Sequence, residues 1–435
     1  MRKGLVVVLV ALVALATFSL PTYAASSKLT FWNMPFTTGE VLSNYVKWWQ
    51  GAVKKALPGV EVSKYYGPGQ YDAMMKSFVV QARTGKPDVI EGLTEQLAVY
   101  VRMGLIADLT KYFNSWKEKD NFLPNAIAAC TVNGKIYGIP YNINVRGMLY
   151  RKDIFKKYHL SVPKTWKELV KTAALITKLT NGKIHGFDFC SAVNEPRAFQ
   201  EFISWFDQLN NKKQMFVYSG GKWKLNAKVS QFEKIFKLYY DLTFYKAPYS
   251  AFDPNNRGGA WQQEDLGYVA GKYAMVPMGP WIWGHRNDNK VAKSILEEKT
   301  GVTSLPIPEG GVKAAYLEVK PIMLNKYSKN PAKAWELIKF ITSKTAMGKW
   351  DAAEGVLPPR KDALAMPEFQ NWWAKAWGER LPEGVGLAPI NWAPVEYAIL
   401  TALNTVIYKV NTPHEAAVWL HNKLSGMADK GILGK

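Results

Sequence analysis

The chain has 435 residues, 48% apolar and 21% charged, which excludes a disordered polypeptide and, at this length, a single ordinary core. Its two cysteines, Cys130 and Cys190, exclude a disulfide-stapled scaffold and a zinc site of clustered thiolates. The formal charge of +21 raises the question of a nucleic-acid partner. The basic residues are scattered, as in Lys111, Lys117 and Lys119, and no Arg/Lys cluster interleaved with stacking aromatics forms a recognisable binding module, so no nucleic-acid partner is expected.

Arg2 and Lys3 precede an apolar run from Leu5 to Leu20, Pro21 ends it, and Thr22-Tyr23-Ala24 supplies small residues for cleavage. This pattern predicts a signal peptide over residues 1–24, cleaved after Ala24, and a soluble periplasmic product. The run is short for a spanning helix, and no cysteine near the site offers a lipoprotein anchor. The basic surface suits residence near an anionic membrane.

Lys28–Trp32 is expected as a short buried strand, Glu40–Leu57 as a helix, and Val60–Val62 as the next strand. Tyr71–Thr84 is expected as a helix, Pro87–Ile90 as a strand, and Thr94–Met103 as a helix ended by Gly104. This alternation predicts an α/β lobe with a mostly parallel sheet. Thr165 is a candidate N-cap for a helix over Trp166–Thr180. Further helices are expected at Pro196–Leu209, Ser230–Leu242, Pro331–Thr342 and Pro394–Val410. With no Pro/Gly-rich linker, two lobes imply a chain that crosses between them more than once.

Four stretches in order carry a resemblance. They are Tyr137-Gly-Ile-Pro-Tyr141 with Met148-Leu-Tyr150-Arg-Lys-Asp153 and Pro163-Lys-Thr-Trp166; Gly271-Lys-Tyr-Ala-Met275 with Gly279-Pro-Trp281-Ile-Trp283; Lys86-Pro-Asp-Val-Ile90 with Gly104-Leu-Ile-Ala-Asp-Leu109; and Asn194-Glu195-Pro196 ahead of a helix. Together they resemble the sugar-binding branch of bacterial ABC-transporter solute-binding proteins, the maltose-binding-protein type. The resemblance implies the two-lobed α/β periplasmic-binding fold, with three chain crossings near Asn144, Leu317 and Asp362 and a ligand cleft between the lobes. The lobes would be 25–144 with 318–362 and 145–317 with 363–435. It also implies a monomer that captures a carbohydrate or polyol and delivers it to the transmembrane subunits of an ABC permease, without catalytic residues, metal or cofactor.

A sugar presents hydroxyls at its rim and C–H patches on its faces, so flat aromatics and charge-assisted hydrogen-bonding groups suit it. By resemblance, Trp281 stacks on the sugar, with Trp283 a weaker candidate whose other reading is a lobe core. Trp32 ends the first strand, at the edge where α/β sheets present ligand contacts. Glu195 matches a hydroxyl-holding carboxylate, or else serves the helix N-terminus. Arg197 either grips hydroxyls or pairs with an acid. Glu91 and Glu95 flank a loop in which Gly92 replaces a tryptophan of the maltose-type protein, which disfavours a maltose-like subsite. Tyr141, Asn142, Asn144 and Arg146 line the first crossing, and Trp392 lies where a stacking tryptophan occurs. Trp372, Trp373 and Trp377 are spaced for helix packing. Two alternatives stay open: a binder of oligopeptide, polyamine or anion on the same scaffold, and a secreted glycoside hydrolase. The five histidines form no metal-binding pattern, and no GxSxG elbow occurs.

Overall fold

The computed structural model describes residues 27–34, 39–66 and 71–434. The expected export segment and its cleavage position lie outside the described residues. So does Gly67-Pro-Gly69, which lacks a dinucleotide-loop pattern.

The first lobe is built on a six-stranded sheet. Ser27–Asn33 pairs in parallel with Val60–Tyr66 on one side and Val89–Glu91 on the other. Each is followed by a helix, at Gly39–Ala56, Tyr71–Gln81 and Thr94–Arg102, as the apolar spacing predicts. The sheet is mostly parallel, as expected: a third parallel pairing joins Gly384–Val385 to Ala315–Leu324, and both antiparallel pairings involve that long strand. The long strand Ala315–Leu324 enters antiparallel to Val89–Glu91, because the chain is returning from the other lobe. Over Leu317–Ile322 the same strand pairs antiparallel with Ile139–Val145, the strand by which the chain first leaves. All seven residues of Ile139–Val145 and all ten of Ala315–Leu324 are buried. A strand covered on both faces loses the polar–apolar alternation that would reveal it in sequence.

The second lobe carries an antiparallel three-stranded sheet, with Gly147–Arg151 between Met275–Met278 and Thr300–Thr303. Helices Trp166–Leu179, Pro196–Leu209, Val229–Phe244, Ala393–Ile407 and Pro413–Asp429 surround it. Thr165 does cap Trp166–Leu179: its hydroxyl accepts from the Glu168 N–H at 3.2 Å, and Glu168 accepts from the Thr165 N–H at 3.2 Å. Phe199, Phe202, Trp205, Phe206, Phe232 and Phe236 form the centre of this lobe's core. Cys130 and Cys190 are buried free thiols. Among the described residues, no helix is long and apolar enough to cross a membrane.

A third segment joins the lobes. After helix Lys344–Glu354, Leu357 accepts from the Ile143 N–H at 2.9 Å. Arg360, 1% exposed, then forks onto Asp362 and donates to Glu118 and to the Thr342 carbonyl. Further on, Trp373 stacks on Trp283 at 4.7 Å. The helix ends at Gly355 with φ of 75°, and a Cβ there would stand 2.5 Å from the Cβ of Trp283. Left-handed backbone without glycine costs about 1–2 kcal/mol before any clash. Gly355→Ala should therefore lower unfolding free energy by at least about 1–2 kcal/mol; a urea midpoint equal to wild type would show that the segment relaxes freely.

Candidate functional site

Helix Pro196–Leu209 builds the site. Arg197, Gln200, Glu201, Ser204, Asp207 and Gln208 recur every three or four positions, so they form one stripe along the helix. On most helices such a stripe faces water. Here all six are buried, and the helix lies against the crossing strand Ala315–Leu324, where the Ser204 hydroxyl accepts from the Tyr316 N–H at 3.0 Å. The helix starts with Glu195 as N-cap, accepting from the Arg197 N–H at 3.1 Å, and with Pro196 in the first turn, where its missing N–H costs nothing.

The stripe collects charge from both lobes. From the first lobe, Glu95 accepts from Gln200 Nε2 at 2.7 Å. From the crossing strands, Asn144 Nδ2 donates to Asn142 at 3.2 Å and to Glu318 at 3.3 Å. Just past the crossing, Arg146 donates to the Gln200 side-chain oxygen, so Arg146, Gln200 and Glu95 form a bridge between lobes. From the second lobe, Arg197 forks onto Asp265 and reaches Glu264 Oε2 at 3.4 Å. Trp281 lies beneath both guanidiniums, 4.2 Å from Arg146 and 5.0 Å from Arg197, in cation–π geometry.

Burial dominates the electrostatics. It pushes the Glu95 carboxyl up, and the nearby Glu318 adds to the rise. Burial likewise raises Glu201, with Glu264 beside it, and raises Glu264 against the pull of Arg197. Asp265 goes the other way: burial opposes ionisation, but Arg197 and His285 overcome it. His285 is raised despite burial, because Asp265 and Asp288 hold its proton. Burial lowers Arg146. Several buried polar atoms have no hydrogen-bond partner among the described residues: Asn144 Oδ1, Arg146 Nε and Nη1, Glu201 Oε1 and Glu264 Oε1. Such atoms are costly unless something supplies their partners.

Among the described residues, one group brings together ligand-type atoms for a cation. Cys190, Glu201 and Glu264 place ligand-type atoms within 4.8 Å of one another. Burial keeps Cys190 a thiol, and it donates to Glu264 at 3.3 Å, while the Arg197 guanidinium already shares that carboxylate. The trio therefore stands as a hydrogen-bonded group.

The residues expected from sequence divide into two sets. Trp281, Arg197, Asn144 and Glu95 come together in the cluster. Glu91 is buried at the end of its strand, with the Lys320 ammonium at 4.0 Å and the Met34 N–H at 3.4 Å. Trp32 is half-buried at the carboxyl edge of the first strand, and its neighbour Asn33 is wholly buried, with neither side-chain polar atom hydrogen-bonded among the described residues.

The others are placed elsewhere. Trp392 is 1% exposed, its indole N–H donates to the Ala388 carbonyl, and its ring packs on Phe199 and Phe216, so it is core of the second lobe. Tyr141 stacks on Trp350 inside the first lobe. Trp283 joins Trp372 and Trp373 in an aromatic cluster. Both oxygens of Glu195 accept backbone N–H groups, from Arg197 and Trp261.

The sequence reading missed Gln200, Glu201, Glu264, Asp265 and Glu318. For Gln200 and Glu201 the polar periodicity of Pro196–Leu209 was the available signal. A groove of about 450 Å³ lies apart from the cluster, between helices Trp166–Leu179 and Val229–Phe244, lined by Trp166, Lys171, Lys234, Leu238, Tyr245 and Pro308.

Comparison with known proteins agrees with this architecture. Residues 52–376 match the family described as bacterial extracellular solute-binding protein. The chain belongs to that family. A putative binding protein of Brucella abortus is 24% identical over 325 residues, 73% of this chain and 74% of its own. An arabinooligosaccharide-binding protein of Bacillus subtilis is 26% identical over 329 residues, 73% of this chain and 69% of its own. Among solved structures, maltose-bound MalE3 of T. maritima superposes with a TM-score of 0.78 at 22% identity, covering 92% of this chain and 100% of that one. The GacH receptor of Streptomyces glaucescens also gives 0.78, at 20% identity, covering 93% and 99%. The fold is therefore the two-lobed periplasmic-binding type, and this family member is an ABC-transporter solute-binding protein of an exported class. Its family and fold are those of binding proteins, not of enzymes.

The raised carboxyls yield a pH prediction. An acid whose folded pKa lies above its unfolded value of 4.5 holds its proton longer in the native state. Between those two values the native state binds more protons, so stability falls as pH rises. Glu201→Gln removes one such group, so from about pH 5 to pH 8 the melting temperature should fall less steeply than in wild type. Parallel pH profiles would mean that Glu201 is already solvated.

Proposed function

We propose that this protein captures a carbohydrate or polyol between its lobes and presents it to the transmembrane subunits of an ABC importer. The observation that carries the reading is the polar stripe of Pro196–Leu209, buried where the lobes meet with its acceptors incompletely satisfied. A polyhydroxylated ligand brings the missing hydroxyl protons and has C–H faces suited to Trp281. The solved neighbours support the class: one is bound to maltose, a Thermotoga lettingae solute-binding protein to α-D-tagatose, and the Streptomyces receptor has been seen with acarbose.

The ligand-contacting set we propose is Trp281, Arg146, Arg197, Gln200, Glu95, Asn144 and Glu201, with Trp32 and Glu91 at the edge of the first lobe. The lobes are proposed as 25–144 with 318–362 and 145–317 with 363–435. The Arg360 contacts to the first lobe and the Trp283–Trp373 stack in the second support that division. Ligand touching both lobes favours their closed arrangement by its differential affinity, and the closed form is what a permease reads. The protein works as a periplasmic monomer, exported by the segment that ends at Ala24. Glycoside hydrolysis is disfavoured, because the cluster's acids are tied to Arg197, Asn144, Gln200 and Cys190 rather than standing as a free pair across a cleft.

The test is thermal unfolding across mono- and oligosaccharides, polyols, amino acids, peptides, polyamines and anions. A ligand at about 100 times its Kd adds about 2.7 kcal/mol to stability. A sugar or polyol family should raise Tm, and Trp281→Ala should weaken that ligand by about tenfold or more. Shifts with peptides, polyamines or anions alone would refute the carbohydrate reading. Unchanged affinity with a lowered Tm would make Trp281 a core residue.

A further inference from the structure

We propose that the groove between helices Trp166–Leu179 and Val229–Phe244 is a second binding site, which takes a free medium-chain carboxylate. None of its lining residues belongs to the interlobe cluster, and the proposal does not rest on the carbohydrate reading.

The groove is held in shape by its own hydrogen bonds. Its apolar floor is Trp166, Val170, Leu238, Tyr245 and Pro308. The Trp166 indole N–H donates to the Gln208 side-chain oxygen and to the Pro306 carbonyl, both at 3.1 Å, so its polar edge is satisfied within the lobe. The loop carrying Pro308 is tied to the same helix. The Trp166 N–H donates to the Ile307 carbonyl at 3.1 Å, and the Ile307 N–H to the Lys164 carbonyl at 3.0 Å. The volume of about 450 Å³ falls in the range of small-molecule sites, about 300–1,000 Å³. On Val229–Phe244 and its C-cap the lining runs from Lys234 to Tyr245, about 16 Å at the helical rise, which an extended chain of about twelve carbons spans. The mean cross-section is then about 28 Å², room for one methylene chain. A docked helix, about 10–12 Å across, does not enter it.

The rim selects the head group. Lys167 and Lys171 stand on one wall and Lys234 and Lys237 on the other, all four exposed to solvent. Lys237 is committed to Asp241 at 2.8 Å. Lys167, Lys171 and Lys234 have no ion-pair partner among the described residues, and Glu309 is the other acid of the lining. A chain that covers the apolar floor therefore ends among ammonium groups. A carboxylate pairs with them, a neutral head gains no charge pairing, and an ammonium head is repelled.

The experiment titrates hexanoate, octanoate, decanoate, dodecanoate and tetradecanoate into the protein by calorimetry, each below its micelle concentration, beside decanol and decylamine. Affinity should rise by up to about fourfold per methylene and level off near about twelve carbons, where the groove ends. Decanoate should bind more tightly than decanol, and decanol more tightly than decylamine. Lys171→Glu combined with Lys234→Glu should reverse the order of decanoate and decylamine, each charge reversal shifting affinity by about three- to fivefold, because exposed pairs are weak. Both lysines are exposed, so this variant should keep the wild-type Tm. An order that the double variant leaves unchanged overturns the proposal. So does affinity that still climbs at tetradecanoate, or no binding of any carboxylate at about 1 mM. Binding to vesicles of anionic phospholipid, with none to the free carboxylates, would make the groove a membrane contact and overturns it as well. If the double variant did not fold, the chain-length plateau and the head-group order of the wild-type protein would decide.

Discussion

A helix that buries a stripe of charged and amide side chains commits the surrounding protein to supplying partners for them. Helix Pro196–Leu209 does this at the junction of two lobes, and the rest of the architecture follows. Its apolar face, with Phe199, Phe202 and Phe206, anchors it in the second lobe's core. Its polar face can be covered only by something that also carries polar groups. The crossing strands bring Asn144, Glu318 and the Tyr316 backbone, and the first lobe brings Glu95. Removing charges from water is costly, and only part of that cost is offset by the pairings present. The remaining unsatisfied atoms keep that cost on the interface.

The same arrangement ties the two lobes together. Ile139–Val145 and Ala315–Leu324 run antiparallel and side by side, so two passages of the chain between the lobes are hydrogen-bonded to each other. Leu357 adds a third segment by accepting from Ile143. The Gln200–Glu95 contact spans the lobes. Trp281 sits on the second lobe just after strand Met275–Met278, held in place by the two guanidiniums that cover it.

Much of the fold was legible in the sequence, because helices with caps and short apolar strands announce themselves locally. Pro196–Leu209 appears at its expected bounds, and Thr165 forms its expected cap. The crossing strands were not legible as strands, since burial on both faces erases alternation, and their antiparallel entry depends on long-range topology. The site was half legible. Trp281, Arg197, Asn144 and Glu95, singled out in the sequence, come together in the candidate cluster. Trp392 and Tyr141 were misleading because an aromatic at the right position looks the same whether its face meets a ligand or a phenylalanine. Glu201 and Gln200 were overlooked because polar residues on a helix are ordinarily its wet face. Glu264 and Asp265 come from a distant helix, Trp261–Val269, that only folding brings to Arg197.

The most direct test is a crystal structure of the protein grown with the sugar or polyol that raises its melting temperature most. The account predicts density between helix Pro196–Leu209 and Glu95, with ligand hydroxyls within hydrogen-bonding distance of Glu95, Asn144 and Glu201 and a C–H face on Trp281. Density instead in the groove between Trp166 and Lys234, with the interlobe cluster unchanged, would contradict it.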